Sequence, residues 1–503
     1  MKRYLLFLLL LTVSYVHVYA QHNALPCGTH PEKSPWLLEY QKAPERYAKN
    51  ENDTIYVPLT IHIVGTDNGS GYFPVESILT AMCELNEDFE PSNIYFYVEG
   101  DYRYINNSAF YDHTIEDGYR MMLENNVDNT LNTYFVQSPA GNCGYSIYGL
   151  GVAMNKSCSG SGDNTFAHEL GHAFSLPHTF FGWEGVEYGD LNLPAPEQLE
   201  ENGSLVEKMD GSNCDSAGDG FCDTPSDYLN YRWACNAEGQ STVFQTDPDS
   251  VRFRSDGTLF MSYSLDECSG RFSEEQTGAM RANLLDERQN FLYNQEPPML
   301  IESPELIVNS PLAGDTIPVN QLEFDWEDIE GATRYYIEIS RISNFSISAE
   351  KAIITTSNFV PSEALSIGKK YYWRVTPFSG YDQCQSPIRG EPFVTSDEVS
   401  NLAELDAAYR IAIVPNVLSN PTAINVNIET PTATRLTTTL YSITGERVMT
   451  QIVDARAGKN THTLAVDGLE SGMYFLNVSD DVQQRTLKLM DKKHNITGYF
   501  LYQ

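Results

Sequence analysis

The eleven residues from His168 to His178, in the stretch AHELGHAFSLPH, limit what this chain can be more than any other part of it. On a helix, positions four apart lie on one face, so His168 and His172 can present two imidazoles to one ion. The flanks predict that helix: Asp163, Asn164 and Thr165 offer N-caps, and Phe166, Leu170 and Phe174 recur at a four-residue spacing suited to burial. Pro177 cannot continue a helix and biases Leu176 towards extended backbone. The chain must then turn, which brings His178 back as a candidate third ligand. Three histidines with one open position form the pattern of catalytic zinc, whereas structural sites are usually closed by four protein ligands. Glu169 sits one residue round the turn, where a carboxylate can serve as general base to a water at the metal. These residues point to metal-dependent hydrolysis.

The rest of the chain is compatible with that chemistry outside the cell. Its 503 residues suffice for several domains, and its 41% apolar content is ordinary for globular material. A formal charge of −36, from 68 acidic and 32 basic residues, argues against nucleic acid or anionic membrane as partner. Residues 1–20 read as a signal peptide: Lys2 and Arg3 lead, Leu5 to Val13 form the apolar run, and Val18-Tyr19-Ala20 is a small-residue cleavage site. No later apolar run is long enough to span a bilayer. Nine cysteines in an exported chain predict disulfides with one thiol left over. Cys143 and Cys158 flank a hairpin-like segment, whereas Cys214, Cys222, Cys235 and Cys268 allow three pairings. Cys83, on an amphipathic helical pattern with Ile78, Leu79, Met82 and Leu85, is expected to be a buried free thiol.

Alternation of Ile55, Val57, Leu59, Ile61 and Ile63 predicts a strand; a helix over 75–89, a strand at Ile94 to Val98, and strands at 132–137 and 148–154 lead into the histidine helix. Residues 53–296 therefore read as an α/β unit with a mixed sheet. About eighty residues after His178 are rich in Gly, Asp and Pro and predict irregular structure. A capping-box pattern from Ser273 to Gln276 then opens a helix expected to run to about Asn294. Beyond Pro297 and Pro298 the texture is that of short strands. Residues 304–396, with Phe324-Asp325-Trp326, Tyr336-Ile337-Glu338-Ile339 and Tyr371-Tyr372-Trp373-Arg374-Val375, resemble a fibronectin type III β-sandwich. A linker, 397–409, a small β-sandwich, 410–490, and a tail, 491–503, complete the chain.

HELGHAFSLPHTF at 168–180, GDGFCDTP at 218–225 and LFMSYSLDEC at 259–268 together resemble the metzincin zinc metallopeptidases, and among them the pappalysin or cytophagalysin family, across about 240 residues. The resemblance implies an endopeptidase acting on proteins or peptides, with Met261 as the methionine turn beneath the metal. It implies Tyr263 as a hydrogen-bond donor to the developing oxyanion. Asp266 matches a carboxylate at the base of the pocket after the scissile bond, which implies a preference for Arg or Lys there. It further implies calcium near Asp219, Asp223 and Thr224, which offer the hard oxygens that ion takes. Ser175 departs from the family pattern, which has Gly at the sharp exit from the helix; Ser can adopt positive φ at roughly 1 kcal/mol. Cys27-Gly28-Thr29 resembles a cysteine switch, in which a thiolate holds the open zinc position until a pro-segment, here 21–52, is removed. Lys42, Arg46 and Lys49 are candidate activation cuts; the alternative is that Cys27 pairs with another cysteine. Finally, Val414-Pro415-Asn416, Tyr441-Ser442-Ile443-Thr444-Gly445 and Leu469-Glu470-Ser471-Gly472-Met473-Tyr474-Phe475 resemble a type IX secretion sorting domain, implying that machinery as partner and a secreted or surface-anchored product. A rival to the enzyme is a surface adhesion protein built on an inactive zincin scaffold; the intact Glu169 weighs against it.

Overall fold

The computed structural model describes residues 25–48, 53–397 and, with breaks, 403–491. The signal peptide, Lys49, most of the 397–409 linker and residues 492–503 lie outside the described residues.

The first half is built on a seven-stranded sheet in the order Leu25–Cys27, Asn142–Ile147, Gly151–Asn155, Leu131–Val136, Ile55–Gly65, Ile94–Val98, with Arg103–Asn106 also pairing to Ile55–Gly65. All its pairings are parallel except that between Asn142–Ile147 and Gly151–Asn155. The strand that the alternation predicts is formed at Ile55–Gly65 and is buried on both faces. Helix Val75–Phe89 packs Ile78, Met82, Leu85 and Phe89 against Val57, Leu59 and Phe96 on one side. On the other, Val64 joins Phe110, Met121, Met122 and Tyr134. Polar positions of that second face are paired, His62 through Nε2 with Asn132 at 2.9 Å and Thr60 with Thr130 at 2.7 Å, which offsets part of the penalty of burying them.

Between His178 and Ser273 the expected irregular region has only two short strands, Gln245–Thr246 and Arg252–Phe253, but it encloses its own cluster of Phe180, Trp183, Tyr228, Trp233 and Tyr263. The capping box at Ser273 and Gln276 is formed. The helix it opens ends at Asp286, short of the expected Asn294, because the chain turns through Gln289–Phe291 to return Phe291 to the core.

Residues 308–396 form a sandwich of a three-stranded and a six-stranded sheet around Phe324, Trp326, Ile337, Trp373 and Phe393. This unit is fastened to the first. Cys83 is not a free thiol: it is bonded to Cys384, 301 residues away. Its helical pattern identified the buried side of its helix but carried no sign of a partner so distant. Around that bond, Val98 donates its N–H to Gly380 O at 2.7 Å, Tyr95 donates to Tyr381 O at 2.7 Å, and Tyr336 donates to Glu76 at 2.7 Å. The remaining pairs are Cys143–Cys158, Cys214–Cys222 and Cys235–Cys268, which settles the three alternatives and leaves Cys27 unpaired. A second sandwich of six- and three-stranded sheets over 403–491 has its own core of Ile424, Val426, Leu440, Leu476 and Leu489.

Candidate metal centre

Helix Thr165–Ala173 is buried along almost its whole length. Asn164 is the N-cap, but not through a side-chain bond to the helix; it turns its amide to Asp266 O and Ser269 O, both at 2.9 Å. At the far end Ser175 takes φ +79°, the conformation for which Gly is usual, and Leu176 donates back to Gly171 O at 3.0 Å. The Ser175 hydroxyl also meets the Ser34 hydroxyl of the N-terminal segment at 2.5 Å. This exit directs Pro177 and His178 back over the helix.

The consequence is a convergence of three imidazoles. Nε2 of His172 lies 3.1 Å from Nε2 of both His168 and His178. Each Nδ1 has its own acceptor: Phe260 O at 2.6 Å, Leu176 O at 2.7 Å and Glu184 Oε1 at 3.0 Å, respectively. Those acceptors hold the Nδ1 protons, so the three Nε2 atoms face one another as lone pairs rather than as hydrogen bonds. Burial and the neighbouring imidazoles lower the proton affinity of His168, to about 3, and of His172. Such a set of neutral, oriented nitrogen donors fits a tetrahedral cation, and the outer partners are those that metal-binding histidines need. Cys27 Sγ joins them: the four donor atoms lie within 4.8 Å of one another, and this is the one such group among the described residues.

Glu169 is fully buried beside this group, under the edge strand Asn142–Ile147; a Cβ at Gly144 would come within 2.6 Å of its Cγ, so only Gly permits the approach. Burial pushes its carboxyl up to about 8, against the hydrogen bonds from Cys27 and Thr29. Thr29 Oγ1 donates to Glu169 Oε2 at 3.0 Å, while Oε1 has no partner among the described residues. Burial, and then Glu169, raise the Cys27 thiol well above its usual range. Met261 lies directly beneath the helix, its sulfur facing Gly171. Tyr263 packs its ring against His178 and Phe180 and donates to Cys27 O at 3.3 Å.

Two participants carry no sequence motif: Glu184 orients His178, and Asp227 anchors the Met261–Tyr263 turn. Thr29, the last residue of the Cys27-Gly28-Thr29 motif, caps Glu169. The buried Asp227 carboxylate accepts from Thr179 at 2.8 Å, Ser262 at 2.8 Å and Ser255 at 2.7 Å. Glu184 is detectable only as a carboxylate shortly after His178; Asp227 is lost among many acidic residues.

The remaining candidates behave differently. Asp219 is fully buried, taking Thr224 Oγ1 at 2.9 Å and Phe221 N–H at 3.0 Å. Asp223 points elsewhere, capping the helix Glu274–Asp286 through Ser273 at 2.7 Å and Glu275 N–H at 2.9 Å. Glu207, not nominated from sequence, lies beside this group, with its Oε2 2.6 Å from where a Cβ at Gly218 would stand. Burial, then Asp219 and Asp227, raise it to about 9. Asp266 is ion-paired with Arg232 at 2.5 Å.

Residues 416–492 match the secretion system C-terminal sorting domain family. The chain is 28% identical over 223 residues to an extracellular metalloprotease of Verticillium alfalfae, covering 39% of this chain and 80% of that relative. It is 24% identical over 291 residues to an extracellular metalloprotease of Colletotrichum graminicola, covering 52% of this chain and 90% of the relative. Among solved structures, a mutant of promirolysin from Tannerella forsythia aligns with 54% of this chain and 100% of its own, at 16% identity and a TM-score of 0.39. The site and the curated relatives define the class: a metalloprotease-type unit with a histidine cluster that could hold a metal. More particularly, it is one that ends in a secretion-system sorting domain, which marks it for the cell exterior, secreted or held at the surface. No helix among the described residues is long and apolar enough to cross a membrane.

Proposed function

We propose that the protein is a secreted zinc endopeptidase of the pappalysin or cytophagalysin type, made as a latent zymogen. The observation that carries this reading is the meeting of three Nε2 atoms, Glu169 and Cys27 at one point. His168, His172 and His178 would hold the metal; when bound, zinc supplies the Lewis acidity that acidifies water and polarises a carbonyl. Glu169, raised towards neutrality by burial, takes the proton of the attacking water and returns it to the leaving amine. Tyr263, kept protonated by burial, donates to the developing oxyanion. Met261 and Asp227 position these groups from below.

The way residues 25–29 lie supports latency. Leu25–Cys27 pairs in parallel with the edge strand, Cys27 opposite Gly144, so the segment fills the strand position where an extended substrate would add to the sheet. Thr29 occupies the base and Cys27 is the fourth donor. Lys42 and Arg46 are exposed and open to a first cut. Trp36, Leu37 and Tyr40 are buried in the main core, each stabilising the docked segment by about 1.5–3 kcal/mol, so a cut must be followed by its displacement. For calcium, Asp219 and Thr224 with the adjacent Glu207 support the reading, and Asp223 contributes as a helix cap. The unit boundaries at 53–296, 304–396 and 410–490 remain part of the proposal. A preference for Arg or Lys after the scissile bond belongs to the same reading, with Asp266 as the carboxylate at the pocket base and Arg232 as its ion-pair partner.

The test is cleavage of a diverse peptide library by the protein freed of residues 21–52, with a Glu169→Ala variant and a chelator as controls. Cutting that both controls abolish supports the reading. Bound zinc with no cutting would transfer the chain to the adhesion class.

A further inference from the structure

The edge strand Asn142–Ile147 passes the metal centre at Gly144, which stands against Glu169. Three residues on, Ile147 and the following Tyr148 line the cleft beside His172 and His178. Ile147 also lines a second cavity, of about 330 Å³, so the two spaces meet at that side chain. Met122, Leu131 and Phe291, all buried, give the second cavity an apolar lining. Residues 28–35 line the cleft, but no residue of the N-terminal segment lines the second cavity, which stays open while that segment is docked.

Arg288 lines this cavity too. Its guanidinium lies over the Tyr148 ring, 4.4 Å from the centroid, a cation–π contact that holds it flat. One residue fixes both partners: Asn283 donates its side-chain amide to the Tyr148 hydroxyl at 3.0 Å and accepts the Arg288 N–H at its carbonyl, also at 3.0 Å. Gly149 leaves the guanidinium uncovered, since a Cβ there would stand 3.7 Å from both Nη1 and Nη2. Among the described residues the Arg288 side chain makes no hydrogen bond or ion pair, and its Nη2 is buried without an acceptor. Acidic residues outnumber basic ones 68 to 32 in this chain, yet none of those described pairs with Arg288, not even Asp128, an exposed carboxylate on the same cavity. A guanidinium has five donors and no acceptor, and it takes a carboxylate through two parallel bonds. The methylenes of a Glu side chain would lie on the apolar lining while its carboxylate met those donors.

We infer that a polypeptide substrate lying along the edge strand continues past Ile147 into this cavity, where Arg288 binds an acidic side chain remote from the scissile bond. A chain paired with the strand advances one residue for each strand residue, so the path from Gly144 to Ile147 and Gly149 puts that side chain about three to five residues from the bond. The inference rests on the peptidase reading above but fails separately from it. The probes are peptides of one sequence carrying Glu, Ala or Lys in turn at each of these positions on either side of the bond. Their kcat/KM is measured on the protein freed of residues 21–52, and their binding by calorimetry on its Glu169→Ala variant. At a position on one side, Glu should exceed Ala by about tenfold in both readouts, and Lys should do no better than Ala. Arg288→Lys should keep part of that preference and Arg288→Gln none, with the Ala peptide cut at an unchanged rate. Absence of a Glu optimum in the unaltered protein, which decides the matter even if Arg288→Gln does not fold, or a Glu preference that survives in Arg288→Gln, would overturn the inference. A protein that binds the Glu peptide through Arg288 yet cuts nothing would sink the peptidase reading and leave the subsite standing.

Discussion

The histidine cluster and the acidic loops downstream were both nominated by short motifs, but they fare differently in three dimensions. His168, His172 and His178 meet, because a helical repeat and a proline-enforced turn place them within eleven residues of one another. Asp219, Asp223 and Asp266 each bind a different partner, namely Thr224, the cap of the helix Glu274–Asp286, and Arg232. Local geometry determines the first set. The second depends on which donor the fold brings alongside, and with 68 carboxylates in the chain a motif alone does not say which will be free. Position in a pattern is strong information for a ligand and weak information for a charge.

Replacing His178 or Glu169 by Ala should have the largest effect. The former should lose most bound zinc, measured by elemental analysis, and the latter should keep the metal while losing at least about a thousandfold in peptide hydrolysis. Unchanged metal content in His178→Ala would mean that convergence in the fold does not report ligation. Next, Cys27→Ala should become active faster than the unaltered zymogen once cut at Lys42 or Arg46, because one of the contacts holding residues 25–29 is gone, whereas Cys27 in the unaltered zymogen should resist a thiol reagent until zinc is chelated.

A buried histidine outside the cluster, His62, offers a control of the same residue type. Burial lowers His62 to about 4, so folding favours its neutral form. The stability it contributes is present above about pH 6.5 and is lost as pH falls through 4, up to about 3 kcal/mol, and denaturant titrations of His62→Gln should lack that dependence. The smallest effect is expected at Asp223: Asp223→Asn should cost about 1 kcal/mol through the weakened cap and leave calcium affinity nearly unchanged. A large loss of calcium binding instead would restore Asp223 as a ligand.

The legible part of the fold was what local periodicity encodes: the strand at 55–65, the helix at 75–89, the histidine helix and the capping box at Ser273. What escaped was long-range. Cys83 carries a helical signature with no trace of Cys384, and Glu184 and Asp227 act through hydrogen bonds that no spacing rule announces. Ser175 shows the reverse case: a departure from pattern that the backbone absorbs at positive φ, with its hydroxyl engaged by Ser34 of the N-terminal segment.

The most direct measurement is zinc-edge X-ray absorption on the Glu169→Ala zymogen, which cannot process itself. One zinc per chain with three imidazole nitrogens and one sulfur, the sulfur lost in Cys27→Ala, is the predicted result. A protein without zinc, or a coordination shell in which neither sulfur nor three imidazoles appear, would contradict the account.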